Sequence, residues 1–366
     1  MQPICTRCLQ LDGVHDTCSG CLAPKIAKRR RTKLTIIGSI AAIVFAGFMY
    51  LALKGNPLRY GKASFDIMEL ETAIEKEPCD KQKVLALAEA YLRAEDPRRC
   101  LALSTQYADK CGDWPRLRWT RYTAFKRLSQ YDKAIAEASL LIESSPYDHD
   151  YWWWRGQAHE EAKHFDEAAD DYRQALIIEP KLGNIPFNLA AVYDKLGRPC
   201  DAIWPLEQFL STHPEHLDNR RVRTQLDRYY ADSKCTAIRG TGSFTVRFAP
   251  SANVILAEAT VNGVKGRFII DTGATLVALT PRFAKKADLE NAMSTKISLQ
   301  TAGGLKFGRL FHTEKIQLGG VTAHRVPAVL LEDELGGVDG LLGMSFLSRF
   351  SVQLNQQSGT LSLSQR

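Results

Sequence analysis

The sequence predicts a multidomain α + β protein in which an α-helical solenoid is followed by an all-β lobe. A 34-residue period runs through the middle of the chain, where Pro146, Pro180 and Pro214 are one period apart. Such periods are typical of stacked helical units. From Gly240 the pattern changes to short apolar runs separated by Asn-Gly and Gly-Gly pairs, which are turn signals between antiparallel strands.

Residues 1–24 carry two close pairs of cysteines. They are Cys5, Cys8, Cys18 and Cys21, in a C-x2-C, x9, C-x2-C pattern. Four thiolates in two pairs can complete the tetrahedral shell of Zn²⁺. The segment therefore resembles a small zinc ribbon, and redox thiols or unligated cysteines are the alternatives. Because such a head is too short for an enzyme, we expect it to dock a partner or to stabilise the N-terminus.

The next feature is an uncharged apolar segment from Leu34 to Leu53. A helix of this length reaches about 30 Å, the thickness of the hydrocarbon core of a bilayer. A cleaved signal peptide and a buried soluble helix are the alternatives. Six basic residues between Lys25 and Lys33 contribute much of the net charge of +7 and predict a cytoplasmic N-terminus. We expect a single pass through the inner membrane, with the remaining chain in the periplasm and no nucleic-acid partner.

Two further series of residues share the 34-residue period. They are Ala134, Ala168 and Ala202, and Tyr91, Phe125, His159 and Tyr193. A small residue lets paired helices approach closely, and Pro stops a helix. With these positions, residues 62–234 resemble tetratricopeptide repeats, with units at 81–114, 115–148, 149–182 and 183–216 and a capping helix after them. The resemblance implies a groove that binds a partner protein or peptide.

Trp152, Trp153 and Trp154 are adjacent in the best-matching unit. One Trp belongs to the repeat core, and one helix face cannot bury all three. The run predicts either an aromatic binding patch or extended packing.

The sequence does not give the pairing of five further cysteines, which are Cys79, Cys100, Cys111, Cys200 and Cys235. Because five is odd, at least one is unpaired or pairs between chains.

Within residues 240–366, one acidic residue stands at the end of an apolar strand. Phe268, Ile269 and Ile270 lead into Asp271, which is followed by Thr272, Gly273, Ala274 and a second apolar run. A later element, Leu341-Leu342-Gly343, precedes a short helix from Met344 to Leu347. These elements, in this order, resemble the retropepsin-like aspartic proteases. The hairpin at Thr301, Ala302, Gly303 and Gly304 lies where that family carries its substrate-binding flap.

The resemblance implies roles for the residues around Asp271. Asp271 would be the catalytic carboxylate, Thr272 would hydrogen-bond across a dimer axis, and Gly273 would let the substrate approach the backbone. The chemistry needs two carboxylates that share one proton, whereas this chain has a single D-T-G. Asp339 is followed by Gly, and its place in the family is not catalytic. We therefore expect a homodimer with one Asp271 from each subunit.

Together these features predict a membrane-anchored aspartic endopeptidase whose repeats recruit a protein substrate or partner and whose catalysis needs no cofactor. The alternative is a scaffold without enzymatic activity, in which Asp271 only caps a turn and both domains bind partner proteins or peptides. A zinc-dependent regulator with outer sensor domains is a further alternative.

Overall fold

In a computed structural model of the protein, the structure describes residues 57–181, 183–213, 219–249, 251–252, 254–292, 294–301 and 304–365. The zinc-ribbon-like head with Cys5, Cys8, Cys18 and Cys21 lies outside these residues, and so does the apolar segment 34–53. Residues 78–366 form one compact unit, and the helix Pro57–Lys76 belongs to a separate one.

The predicted membrane location needs a correction. Across the residues that the structure describes, none of the helices is both long enough and apolar enough to cross a bilayer. The longest of them, Pro57–Lys76, includes Asp66, Glu69, Glu71 and Glu75, and charges of this number are too costly in hydrocarbon. This finding contradicts the single-pass location with periplasmic outer domains, and we withdraw that prediction.

Ten α-helices in the described residues make up the region before the strands. They are α1 (Pro57–Lys76), α2 (Lys81–Arg93), α3 (Pro97–Cys111), α4 (Pro115–Arg127), α5 (Tyr131–Ser144), α6 (His149–Glu161), α7 (Phe165–Ile178), α8 (Ile185–Lys195), α9 (Ile203–Thr212) and α10 (Asn219–Ala231). The pairs α2/α3, α4/α5, α6/α7 and α8/α9 fall within the four predicted repeat units. A helical repeat region followed by a β-rich region is the fold class that the sequence predicted.

The periodic residues occupy the helix contacts that their size predicts. Ala134, Ala168 and Ala202 are fully buried, and Cys100 takes the same place in the first unit. Gly156 is equally constrained, since a Cβ atom there would lie 2.8 Å from the ring of Tyr172. Small residues at these positions therefore let the two helices of each unit pack closely.

Two disulfides lie in the described helical region and the segment that follows it. Cys79 bonds to Cys111, and Cys200 bonds to Cys235. Cys100 is buried and free, so the odd count leaves one unpaired thiol, as the sequence required. The first disulfide joins Cys79, two residues before the start of α2, to the last residue of α3. The second joins the connection between α8 and α9 to the segment after α10.

The tryptophan run is largely explained by packing within the array. The Nε1–H of Trp152 donates to the carbonyl of Pro146 at 2.9 Å, and that of Trp153 reaches Asn188 Oδ1 at 3.4 Å. The ring of Trp154 stacks on Tyr122 with ring centroids 5.9 Å apart. Each indole thus has a partner inside the repeats, which favours the packing alternative.

Twelve strands and two short helices form the described β region. The strands are β1 (Ser243–Arg247), β2 (Ile255–Val261), β3 (Val264–Ile270), β4 (Val277–Leu279), β5 (Thr295–Thr301), β6 (Gly304–His312), β7 (Lys315–Leu318), β8 (Val321–His324), β9 (Pro327–Leu331), β10 (Gly340–Leu342), β11 (Phe350–Asn355) and β12 (Thr360–Gln365), and the helices are α11 (Pro281–Lys286) and α12 (Met344–Leu347). Nine strands form one sheet in the order β5-β6-β9-β4-β10-β3-β2-β7-β8, and β1-β12-β11 form another.

Two of the hairpins turn at an Asn-Gly and a Gly-Gly pair that the sequence predicted as turns. Asn262 and Gly263 join β2 to β3 with φ values of 50° and 84°, the left-handed conformation that a tight hairpin requires. Gly319, with a φ of 55°, begins the turn from β7 to β8. One face of the larger sheet, with Phe268, Ile270 and Leu342, packs into the core of the lobe against α11 and α12.

A buried polar contact joins the repeats to the lobe. Arg349 Nη1 lies 3.0 Å from Glu207 Oε2, and both side chains are almost fully buried. The hydroxyl of Tyr230 donates to the same carboxylate. Burial, and then the charge of Glu207, raise the pKa of Tyr230 far above its usual range. Because removing one member would leave a buried charge unpaired, this contact ties α9 to the chain that follows α12.

Candidate active site around Asp271

Asp271 stands at the point where β3 leaves the sheet. Its N–H donates to the carbonyl of Leu342 on the neighbouring strand β10 at 3.1 Å. Its carboxylate oxygen Oδ1 accepts the N–H of Gly273 at 2.8 Å, so the side chain closes a tight turn. Asp271 is half-buried, whereas Thr272 and Gly273 are exposed. The backbone of this turn is therefore fixed, while its tip is open to a partner.

The chain after the turn is held against the Leu341-Leu342-Gly343 element. Met344 donates its N–H to the carbonyl of Ala274 at 2.7 Å, and Ser345 does the same to Thr275 at 2.9 Å. Gly343 is required here by space, because a Cβ atom would lie 2.1 Å from the carbonyl oxygen of Leu276. The two sequence elements of the family resemblance are thus in direct contact.

Ser345 belongs to this arrangement although the sequence did not predict it. Its hydroxyl donates to the carbonyl of Pro327 at 2.7 Å and accepts the N–H of Val277 at 2.9 Å. The residue is fully buried and so links three segments around the Asp271 turn. A single hydroxyl within the apolar run from Leu341 to Leu347 was the only signal in the sequence.

Asp339 lies at the other end of the same strands. In the parallel pairing of β10 with β3, Gly340 is opposite Phe268 and Leu342 is opposite Ile270. Asp339 is thus level with Arg267, four residues or about 13 Å along the strand from Asp271. Its carboxylate accepts the N–H of Arg267 at 2.9 Å and pairs with Arg282 at 3.4 Å. Asp339 therefore cannot serve as the second carboxylate of an Asp271 pair in one chain.

Of the predicted flap residues, Thr301 and Gly304 lie at the ends of β5 and β6. Thr301 is opposite Gly304 in the pairing of the two strands, and its hydroxyl donates to the carbonyl of Gly304 at 2.7 Å. Ala302 and Gly303 are outside the described residues.

In the part of the chain that the structure does describe, there is no group of three or more His, Cys, Asp or Glu side chains that could hold a metal ion.

Comparison with known proteins identifies two segments of the chain. Residues 257–349 match the family model described as "gag-polyprotein putative aspartyl protease", which covers the Asp271 turn and the Gly343 element. Residues 149–182 match the model of the tetratricopeptide repeat, which covers α6 and α7. A search of curated proteins gives no match.

Several solved structures of repeat proteins are similar to part of the chain. A crystal structure of MamA shares 14% identity, with 43% of this chain and 92% of that chain covered and a TM-score of 0.40. A thermophilic TPR protein from Thermus thermophilus shares 20% identity, with 48% and 96% covered and a TM-score of 0.36. By its two family-model matches, the chain combines a protease-like domain of the aspartyl class with tetratricopeptide repeats.

Proposed function

We propose that the protein is an aspartic endopeptidase whose active site forms between two copies of the lobe. The observation that supports this proposal most is the position of Asp271, half-buried at the start of an open turn and held by the hydrogen bond of its N–H to the carbonyl of Leu342. Thr272 and Gly273 are exposed beside it. A second turn of the same kind can therefore approach it about a twofold axis and bring the two carboxylates together.

In such a dimer each carboxylate has a distinct task. The ionised carboxylate takes a proton from a water molecule that attacks the peptide carbonyl, and the protonated one hydrogen-bonds to the carbonyl oxygen. The two groups share one proton because like charges at close range cannot both be ionised. Thr272 would hydrogen-bond across the axis, and the Thr301–Gly304 hairpin would cover the substrate. The repeats would recruit the protein substrate or a partner.

Mixing two forms of the full chain tests the dimer and the role of Asp271 together. We expect Asp271→Asn to abolish cleavage of a diverse peptide mixture while leaving thermal stability close to that of the unchanged protein. When equal amounts of the two forms exchange subunits at random, about one quarter of the dimers carry two Asp271 residues. Activity at a fixed total concentration should then fall to about one quarter of the unmixed level.

Other outcomes discriminate between the alternatives. An activity of about one half in the mixture would show that each chain works alone, which contradicts the shared site. Equal cleavage by both forms would refute a catalytic role of Asp271, and no cleavage by a dimeric unchanged protein would favour the non-enzymatic scaffold. Separately, zinc binding by Cys5, Cys8, Cys18 and Cys21 stays a prediction, which the metal content of a Cys5→Ser, Cys8→Ser variant would check.

A further inference from the structure

The two faces of the nine-stranded sheet are covered by different parts of the protein. Side chains paired across neighbouring strands lie on the same face, and the register gives one row, Leu310-Val329-Ala278-Leu341-Ile269. Leu310, Val329 and Ala278 are buried in one hydrophobic cluster with residues of α7, α8, α9 and α10. The repeats therefore cover this face of the sheet along β6, β9 and β4.

Asp271 belongs to the same face. It follows Ile269 by two residues, and its N–H continues the pairing of β3 with β10, so its side chain is on the side of Ile269. Coverage by the repeats decreases towards this point. Leu341 is only partly buried against the cluster, and Leu256, which is opposite Ile269, is 46% exposed. Asp271 thus lies at the boundary between the part of the face that the repeats cover and the part that is open.

The repeats also hold the edge of the sheet. The amide of Gln174 in α7 donates from Nε2 to the carbonyl of Ser298 at 2.8 Å and accepts the Ser298 N–H at Oε1 at 3.1 Å. Ser298 is in β5, the edge strand of the sheet. Both residues are more than nine-tenths buried. A side-chain amide that satisfies both backbone groups takes the place of a neighbouring strand. β5 itself runs on from Ser298 to Thr301, where the hairpin with β6 begins.

From these contacts we infer that the repeats form one wall of the cleft that leads to Asp271, and that Gln174 is a positioning residue for the β5–β6 hairpin. The inference rests on the proposed function. A peptide that reaches Asp271 has to lie along the open strip of Ile269 and Leu256, because the adjoining strands are occupied by α7–α10. The repeats thereby limit which extended polypeptide segments can bind, beyond any recruitment of substrate elsewhere on their surface.

The repeat period supplies a matched control for Gln174. Gln208 in α9 is one period of 34 residues further along the chain and is 1% exposed. Its side-chain amide atoms have no hydrogen-bond partner among the described residues. Leucine at either position keeps most of the side-chain volume and removes the amide. Only Gln174→Leu, however, breaks hydrogen bonds to the lobe.

The test compares Gln174→Leu with Gln208→Leu in the full chain by hydrogen exchange and by cleavage of a peptide mixture. Loss of two neutral hydrogen bonds should speed exchange of the amides in 295–301 by about tenfold or more. For Gln174→Leu we expect KM to rise about tenfold, kcat to stay within about twofold, and the preferred cleavage positions to change. Gln208→Leu should change none of these readouts.

The outcomes separate this inference from the proposed function. If the unchanged protein cleaves peptides and Gln174→Leu gives the same KM and cleavage positions, the inference is overturned and the protease function stands. Unchanged exchange in 295–301 would refute the positioning role by itself. If kcat falls with no change in KM or cleavage positions, Gln174 acts on the reacting groups and not on the cleft. If the unchanged protein cleaves nothing, the proposed function fails and the substrate cleft fails with it, whereas exchange in 295–301 still decides whether Gln174 positions β5.

Discussion

Replacing Gly343 by Ala tests whether close contact between two sequence elements holds the Asp271 turn. A Cβ atom at this position would lie 2.1 Å from the carbonyl oxygen of Leu276 and 2.6 Å from that of Ala274. Both are backbone atoms, so no side chain can rotate out of the way. The added methyl group therefore has to push β10 and the turn apart by about 1 Å to reach ordinary contact distance.

The expected cost follows from overpacking of this kind, which destabilises proteins by about 1–3 kcal/mol and occasionally more. Because two backbone oxygens oppose the methyl group, we expect about 3 kcal/mol for Gly343→Ala. At about 1.4 kcal/mol for each tenfold change, locally open forms should become about 100-fold more populated. The protected amides of β3 and β10 should then exchange their hydrogens about 100-fold faster.

Hydrogen exchange detected by mass spectrometry is the suitable assay, because the sequence after Gly240 contains no Trp or Tyr to report on the lobe by fluorescence. Gly336→Ala is the control, since a Cβ atom there has nothing within 4 Å, and it should leave exchange within about threefold of the unchanged protein. If Gly343→Ala also stays within that range, the argument that Gly343 is required by close backbone contact is refuted.

Two further predictions concern the repeats, whose tryptophans allow unfolding to be followed by fluorescence. Joint replacement of Cys200 and Cys235 by Ser should lower the free energy of unfolding by about 3–4 kcal/mol, because their bond closes a loop with a sequence separation of 35. Cys100→Ala is the control. A decrease of less than about 1 kcal/mol for the double replacement would contradict this prediction. Burial, and then a neighbouring arginine, lower the pKa of His159, so the unfolded chain binds the proton more readily than the folded chain does. The contribution of His159 to the free energy of unfolding should therefore be fully present above about pH 6.5. Below that pH it should decrease by at most about 1.4 kcal/mol per pH unit. His159→Phe, which places there the residue that Phe125 provides one period earlier, should flatten the profile from pH 7 to 5, and an unchanged slope would assign the pH dependence to other groups.

The sequence predicted those parts of the fold that depend on local chemistry or on repetition. The 34-residue period placed four helix pairs, because each unit repeats the same contacts between small and aromatic residues. Asn262 and Gly263 placed a hairpin, because few residues adopt the left-handed conformation that its turn requires. The predicted membrane location was contradicted by the described helices, none of which is both long and apolar enough.

The candidate site could be predicted only in part. The sequence placed Asp271 at the end of a strand and paired it with the Leu341-Leu342-Gly343 element, since both are short motifs that repeat a known pattern. It did not identify Ser345, whose buried hydroxyl joins segments from Pro327 to Val277. Nothing in the residues next to Ser345 in the sequence marks those partners.

By itself, then, the sequence determined a helical repeat array, a β lobe and one carboxylate at a turn, because each follows from residues close in the chain or from a regular period. Only the tertiary structure decided how these parts meet. Gln174 and Ser298 are 124 residues apart, and the repeats cover part of the sheet face that carries Asp271. Contacts of this kind depend on which surfaces become neighbours after each part has folded, and that information is not contained in any local pattern.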